Sequence, residues 1–274
     1  MPSFDSLGDR MKFYEGIWGG VPQLMPLIPA VIRLDGKAFH TFTKGMDKPF
    51  DMGLINLMIE TTKALVEDTN ACVGYTQSDE ITLILMTEEF DSQIYFDGRV
   101  DKINSILAGT CANEFNSRLG QYIPDKAGYW PVFDCRCFNV PNEMEAVNAL
   151  IWREQDATRN SIQMAGQAEF SHNQLMHKSC NDIQEMLWSQ RNINWNDYPD
   201  RCKRGTYIQR RKVVKPFTTE EIDRLPAKHA ARANPLLTIE RTVVNVLPLP
   251  PITKLANVTS VVFRGADPVL RAEA

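Results

Sequence analysis

The chain has 274 residues, 43% hydrophobic and 23% charged, proportions that exclude a disordered, collagen-like or coiled-coil protein and fit one large domain or two modest ones. Thirty basic residues against 34 acidic ones give a net charge of −4, which argues against a generally basic nucleic-acid coat. No apolar run approaches the roughly 18 residues that a membrane span needs, and Asp5 and Asp9 stand where a signal peptide would be basic and then apolar. The expected compartment is therefore the cytoplasm, with no membrane partner.

Pro29 followed by Ala30–Leu34 predicts a short buried strand, and Asp35-Gly36 ends it with turn chemistry. Leu54, Met58, Thr61 and Leu65 then recur at helical spacing and predict an amphipathic helix. Residues 72–75 and 81–86 are strand-like runs around the polar stretch Thr76–Glu80, which reads as a hairpin. Val100, Ile103, Leu107, Cys111 and Phe115 mark a second helix, and Pro131–Val140 offers a fourth strand. The order β-α-β-β-α-β suits an α+β, ferredoxin-like sheet with both helices on one face, the plan of polymerase palms and nucleotide cyclases. Residues 1–140 would form this palm-like domain.

Beyond Pro141, residues 141–274 read as a mainly helical and basic region. Helices are expected from about Glu143 to Gln167 and Leu175 to Trp188, and Thr218 with Glu221 forms a capping-box pattern opening one more. Seven of the 16 prolines lie in the last 59 residues, predicting a tail extended over the surface. No internal repeat is present.

The six cysteines are too sparse for a disulfide scaffold and contain no C-x-x-C pair, so all are expected to be reduced. Cys135 and Cys137 would share one face of a strand as small buried hydrophobes. From Arg201 to Lys215 there are seven basic residues and no acid, leaving the rest of the chain at −11 (23 basic against 34 acidic residues). Two readings stay open for this segment: a solvated strand whose cations pair with acids elsewhere, or contacts from Arg201, Lys203, Arg204, Arg210, Arg211 and Lys212 to an RNA backbone. Trp130, Trp152, Trp188 and Trp195 could stack bases or pack in a core. His172, His177 and His229 show no metal-ligand spacing.

The most informative feature is a pair of carboxylates. In a split βαβ sheet the end of the first strand and the hairpin between the second and third lie at one edge, so Asp35 and Asp79 should meet. Two such acids could share divalent ions of the hard, oxygen-seeking kind used in phosphoryl transfer, magnesium above all. The plainer reading is that Asp35 starts a turn and Ser78-Asp79-Glu80 is a polar hairpin tip. Gly36 permits close approach to a ligand, and the loop Lys37, Ala38, Phe39 and His40, with Lys48, Arg99 and Lys102, could hold a triphosphate.

Arg33-Leu34-Asp35-Gly36-Lys37-Ala38-Phe39-His40-Thr41-Phe42, Lys48-Pro49 and Gln77-Ser78-Asp79-Glu80 resemble the tRNA-histidine guanylyltransferase family and its Thg-like relatives, the 3′-to-5′ polymerases. Phe133-Asp134-Cys135-Arg136, Trp152-Arg153 with Asp156, Asn192-Ile193-Asn194-Trp195-Asn196 and Arg204-Gly205-Thr206 continue the match in order, over roughly residues 11–211. The resemblance implies an enzyme that adds nucleotides to tRNA 5′ ends, with ATP and GTP or other NTPs as substrates. It implies two magnesium ions held by Asp35, the Gly36 carbonyl and Asp79. It also implies nucleotide contacts from Asp35 to His40, Lys48 and Ser78, a triphosphate-holding basic cluster at Arg99 and Lys102, and a homo-oligomer, most simply a tetramer. Glu80 matches an acid near the metals, or equally opens a strand with an ion pair. Residues 158–164 keep only Asn160 of the eukaryotic segment, which resembles the bacterial, archaeal and phage-type branch that repairs truncated tRNA with a template. Addition of a single G, a palm-fold cyclase and a non-catalytic RNA-binding module are the alternatives. Residues 212–274 carry no resemblance.

Overall fold

The computed structural model describes residues 11, 22–89, 92, 94–234 and 236–272. The amino-terminal decapeptide, with its two aspartates, lies outside them. The elements are β1 (Ala30–Gly36), α1 (Phe39–Phe42), α2 (Met52–Thr69), β2 (Val73–Gln77), β3 (Glu80–Leu85), α3 (Val100–Tyr122), β4 (Phe133–Asn139) and α4 (Glu143–Glu169). There follow α5 (His172–Leu175), α6 (Cys180–Arg191), α7 (Asp200–Lys203), β5 (Thr206–Pro216), α8 (Thr219–Arg224), α9 (Ala230–Ala233), β6 (Thr238–Leu247) and α10 (Val258–Arg264). One six-stranded sheet runs in the order β4-β1-β3-β2-β5-β6, and every neighbouring pair is antiparallel.

Strand alternation sends Ile32 and Leu34 to one face and Val31 to the other. The first face is covered by α2 and α3. Helix α2 starts where the Asp51 carboxylate accepts from the Leu54 N–H, and ends at Asn70 in the left-handed conformation. Its buried stripe, Leu54, Leu57, Met58 and Leu65, joins Ile103, Leu107, Cys111 and Phe115 of α3 in the principal core. Thr61 and Thr62 are tolerated there because each hydroxyl donates to the carbonyl one turn earlier, Leu57 at 2.9 Å and Met58 at 2.7 Å. Cys135 and Cys137 lean against this core, and all six cysteines are free thiols.

The second face is covered as well, which extends the expectation of helices on one side. Ala146, Val147 and Leu150 of α4 pack with Val31, Tyr75 and Ile84, and α10 closes the layer through Val258, Val261 and Val262. A third cluster joins the end of α4 to α6 around Ile162, Leu187 and Trp195.

The expected surface tail is overturned. Residues 238–247 pair along β5 from Tyr207↔Leu247 to Pro216↔Thr238, and α10 is buried on the sheet. The prolines 248, 250 and 251 only turn the chain between these two elements. Arg211 anchors the return, donating to the carbonyls of Gly265 (2.8 Å) and Ala266 (2.7 Å). The Thr218–Glu221 capping box forms as expected. The helix expected from Leu175 instead begins at Cys180, where Ser179 and Asp182 cap it reciprocally.

Candidate active site

Antiparallel pairing of β1 with β3 sets Asp35 opposite Glu80, and pairing with β4 sets it opposite Asp134. The β2–β3 hairpin is tighter than its sequence suggests. The strands run on to Gln77 and Glu80, and Ser78 takes a left-handed conformation (φ 49°) to make a two-residue tip with Asp79. The Gly36 N–H donates to the Asp79 carbonyl at 3.2 Å, so the backbones of the two candidate metal-binding segments are tied together. At Gly36 a Cβ would lie 2.3 Å from the Phe39 ring, which explains why only glycine fits beneath the following loop.

That loop is held by the Lys37 N–H donating to Val132 O (2.9 Å), and Ala38 is left-handed before α1. Phe39 and Phe42 turn inward and pack edge-on against Phe115, at 5.7 and 6.0 Å between centroids. The Phe39 side chain is thus a core group, and only its backbone remains for a ligand. His40, Lys44 and Lys48 line a cavity of about 470 Å³ that reaches Ser78. A second cavity, about 390 Å³, continues past Ser78, Asp79 and Glu80 to Asn160 on α4 and to Arg201.

Burial holds both aspartate carboxyls of this edge above their ordinary range. Burial, then the nearby Asp134, raises the Asp35 carboxyl above its ordinary range, against the pull of Arg33, Arg136 and Arg153. Burial also pushes the Asp79 carboxyl up to about 6; the Ser78 hydroxyl, donating at 3.0 Å, opposes it, and the charges of Asp35 and Glu80 add to it. A divalent cation would relieve both. Among the described residues no three His, Cys, Asp or Glu side chains lie together as a closed metal cage. Two carboxylates and a free carbonyl still fit magnesium, which keeps several waters and completes its octahedron with substrate phosphates.

Glu80 behaves differently from Asp79. Its carboxylate lies 3.4 Å from the Arg153 guanidinium and accepts from Gln77 Nε2 at 3.1 Å. Arg153 is buried, also pairs with Asp156, and stacks on the Trp152 ring at 4.1 Å. Of the two readings left open for Glu80, the ion pair is the one its geometry has. Arg153, Asp134 and Lys44 are among the residues at this site to which the sequence reading gave no role. Arg153 and Asp134 lie inside motifs already named, so their signal was present, but which strand or helix they face is a long-range property.

Arg99 and Lys102 are not brought to this edge. Lys102 lines a separate cavity of about 560 Å³ with Ala30 and Leu85, at the far end of β1 and β3, and sits over the Phe96 ring at 4.9 Å. Arg99 bridges Gln23 beside it. The basic stretch is also dispersed. Arg201 reaches the cavity beside Asp79, with its guanidinium 3.4 Å from Asn56 Oδ1. Lys203 is buried, donating to Asn196 O at 2.6 Å, and Arg204 pairs with Asp200. Arg210, Arg211 and Lys212 pair with Glu67, Asp267 and Glu240 at 3.5, 3.2 and 2.9 Å. Of the two readings left open for this segment, pairing with acids elsewhere is the one present for Arg210, Arg211 and Lys212. Trp195 is a core residue whose indole donates to Ser161 Oγ at 3.2 Å, whereas Trp130, Trp152 and Trp188 are exposed.

Comparison with known proteins agrees with this arrangement. Residues 8–141 match the family model described as tRNAHis guanylyltransferase. The tRNA(His) guanylyltransferase of Saccharomyces cerevisiae is 28% identical over 208 residues, covering 70% of this chain and 86% of that protein. A bacterial tRNA(His) guanylyltransferase-like protein solved in complex with ATP superposes with TM-score 0.69 at 39% identity, covering 75% of this chain and 87% of that one. Another, in complex with GTP, gives TM-score 0.69 at 31% identity, covering 91% and 95%. With its paired aspartates on the edge of an antiparallel α+β sheet, the chain belongs to the tRNAHis guanylyltransferase family of nucleotidyltransferases.

Proposed function

We propose that this protein extends the 5′ end of tRNA in the 3′-to-5′ direction as a magnesium-dependent nucleotidyltransferase of the Thg-like branch. The observation that carries the reading is the Asp35–Asp79 pair, tied through Gly36, with Asp79 lining one of two adjoining cavities that meet at Ser78 to form a trough. Asp35, the Gly36 carbonyl and Asp79 would hold the ions, which when bound neutralise triphosphate charge and ease deprotonation of an attacking hydroxyl. His40, Lys48 and Ser78 line the trough and orient the triphosphate; Arg153 holds the hairpin tip in register. In the first transfer, the RNA 5′-monophosphate takes AMP from ATP and pyrophosphate leaves. In the second, the 3′-hydroxyl of an NTP attacks that 5′ phosphorus, a new phosphodiester forms and AMP departs.

The β4-β1-β3-β2 unit supports a ferredoxin-like, palm-type description for residues 1–140, with 141–274 serving RNA binding and assembly. Template-directed repair is favoured over addition of a single G by the divergent segment 158–164. The paired aspartates speak against a non-catalytic RNA-binding module, and the motif order speaks against a cyclase. Assembly as a homotetramer and a cytoplasmic location complete the reading; no helix among the described residues is long and apolar enough to cross a membrane.

The test is incubation with 5′-truncated tRNA, ATP, GTP and magnesium. Lengthening of the 5′ end that is lost in Asp35→Ala is expected. No extension across several tRNAs, with NTP cyclised in the absence of RNA, would replace this reading with the cyclase.

A further inference from the structure

The trough has two walls of different chemistry. On the loop side stand charged groups, of which Asp51 is already engaged: its two carboxylate oxygens accept from the Leu54 and Asp47 N–H groups at 2.8 and 3.3 Å. On the α4 side the wall is neutral. Asn160, Gln163, Met164 and Gln167 follow one another at i, i+3, i+4 and i+7, one face of the helix. Gln163, Met164 and Gln167 are exposed, so their side chains are available to a ligand. Gln167 and Met164 line both the cavity at His40 and Lys48 and the cavity at Asp79, with Ser78 facing them in each. A nucleotide whose triphosphate lies along Asp79, Ser78 and the His40–Lys48 side would turn its base toward this opposite wall.

We propose that Gln167 reads the base of the bound nucleotide, with Met164 giving it an apolar contact and Gln163 standing beside it, and that this neutral amide lets one site accept both purines. The inference rests on the nucleotidyltransferase reading above and deepens it. A carboxamide offers one acceptor and two donor hydrogens, and a half-turn of its terminal torsion exchanges them. Adenine presents an amino donor next to a ring acceptor; guanine presents a carbonyl acceptor next to a ring N–H donor. Gln167 meets either edge by rotating. A carboxylate at the same position only accepts, so it would favour the guanine N–H and amino donors and repel the adenine ring nitrogen.

The experiment measures ATP and GTP affinity by calorimetry with magnesium, and KM for each in the extension assay, for wild type, Gln167→Leu, Gln167→Glu and Asp79→Ala. Gln167→Leu should weaken both nucleotides by a similar factor, roughly three- to tenfold for one lost neutral hydrogen bond. Gln167→Glu should shift the ATP-to-GTP ratio toward GTP by about tenfold, near the worth of a charge-assisted bond. Position 167 is exposed, so melting temperatures should match wild type. If wild type binds both nucleotides, Asp79→Ala loses them, and the two Gln167 variants keep wild-type affinities and ratio, this inference is overturned while the function stands. If wild type binds neither nucleotide, both fall.

Discussion

The Arg153 guanidinium lies 3.4 Å from the Glu80 carboxylate, with the Arg153 side chain 7% and the Glu80 side chain 19% exposed. The contact joins the middle of α4 to the residue that follows Asp79, so the hairpin tip is braced from a helix more than 70 positions away in sequence. Arg153→Met should leave Glu80 as an uncompensated, partly buried charge and Asp156 with only its exposed Arg159 partner, at a cost of about 3 kcal/mol. Arg153→Lys should recover only part of it, because an ammonium cannot engage two carboxylates and stack on Trp152 together. Urea unfolding of the three proteins checks this.

Asp79→Asn is expected to separate stability from function. Burial and the charges of Asp35 and Glu80 push the Asp79 carboxyl up to about 6, so at pH 7 and without metal its ionised form is unfavourable in the fold. The substitution should raise the melting temperature by a few degrees in chelator, by the usual conversion of about 1 kcal/mol. It should also abolish the stabilisation that magnesium with ATP gives wild type. A lower melting temperature in chelator would contradict the charge argument.

Glu154 gives a pH-dependent prediction. Burial raises its carboxyl above the ordinary value, although Tyr207 OH and the Ile252 N–H donate to it at 2.9 and 3.1 Å. A carboxyl whose folded pKa is raised contributes stability in its protonated form. That contribution is complete below the unfolded value of 4.5 and is lost as pH rises through the higher folded value. Glu154→Gln keeps an acceptor for Ile252 and does not titrate. Its unfolding free energy relative to wild type should therefore increase between about pH 4 and pH 7, and a flat difference would show that the carboxyl is not desolvated.

Gly205→Ala probes the joint between α7 and β5. The glycine has φ +76°, and an added Cβ would lie 2.6 Å from Thr76 O and from Tyr75 OH, which itself donates to Arg204 O at 2.7 Å. Strain of both kinds predicts a loss of at least about 2 kcal/mol, read from the denaturant midpoint at unchanged m-value.

For the basic stretch the structure separates two kinds of residue. Arg211→Ala should lower stability, since it holds the Gly265 and Ala266 carbonyls. Lys212 and Lys215 are exposed, so their conversion to Glu should leave the fold unchanged. If the segment contacts RNA, the salt slope of tRNA binding should fall by about two for the pair of charges; an unchanged slope would remove the segment from the RNA surface.

The first four strands and the two helices between them were legible because each is local: a run of β-branched residues, or apolar residues every three or four positions. The meeting of Asp35 with Asp79 followed from strand order alone. The burial of Lys203 against Asn196 O and the anchoring of Arg211 on the Gly265 carbonyl were not legible, because charge and spacing do not show which carbonyls fold onto a cation. Strand β6 was hidden for a related reason. Its polar residues follow no strict alternation, and its pairing with β5 spans a connection of more than 20 residues, so the neighbouring prolines dominated the reading. That Arg99 and Lys102 lie away from the Asp35 edge was not legible either, because a resemblance carries residue types but not which end of a strand a helix starts from.

Arg153 and Glu154 are consecutive, yet they face opposite structures: one grips the Glu80 carboxylate, the other accepts from the Ile252 N–H of the carboxy-terminal segment. Helix α4 therefore carries the hairpin tip on one flank and the segment around Ile252 on the other, held by side chains one position apart. Cleavage or displacement of the segment around Ile252 removes a donor from the Glu154 carboxylate, and so loosens the helix that braces the Asp79 hairpin. A cut far from the aspartates should accordingly behave, in turnover, like a lesion beside them.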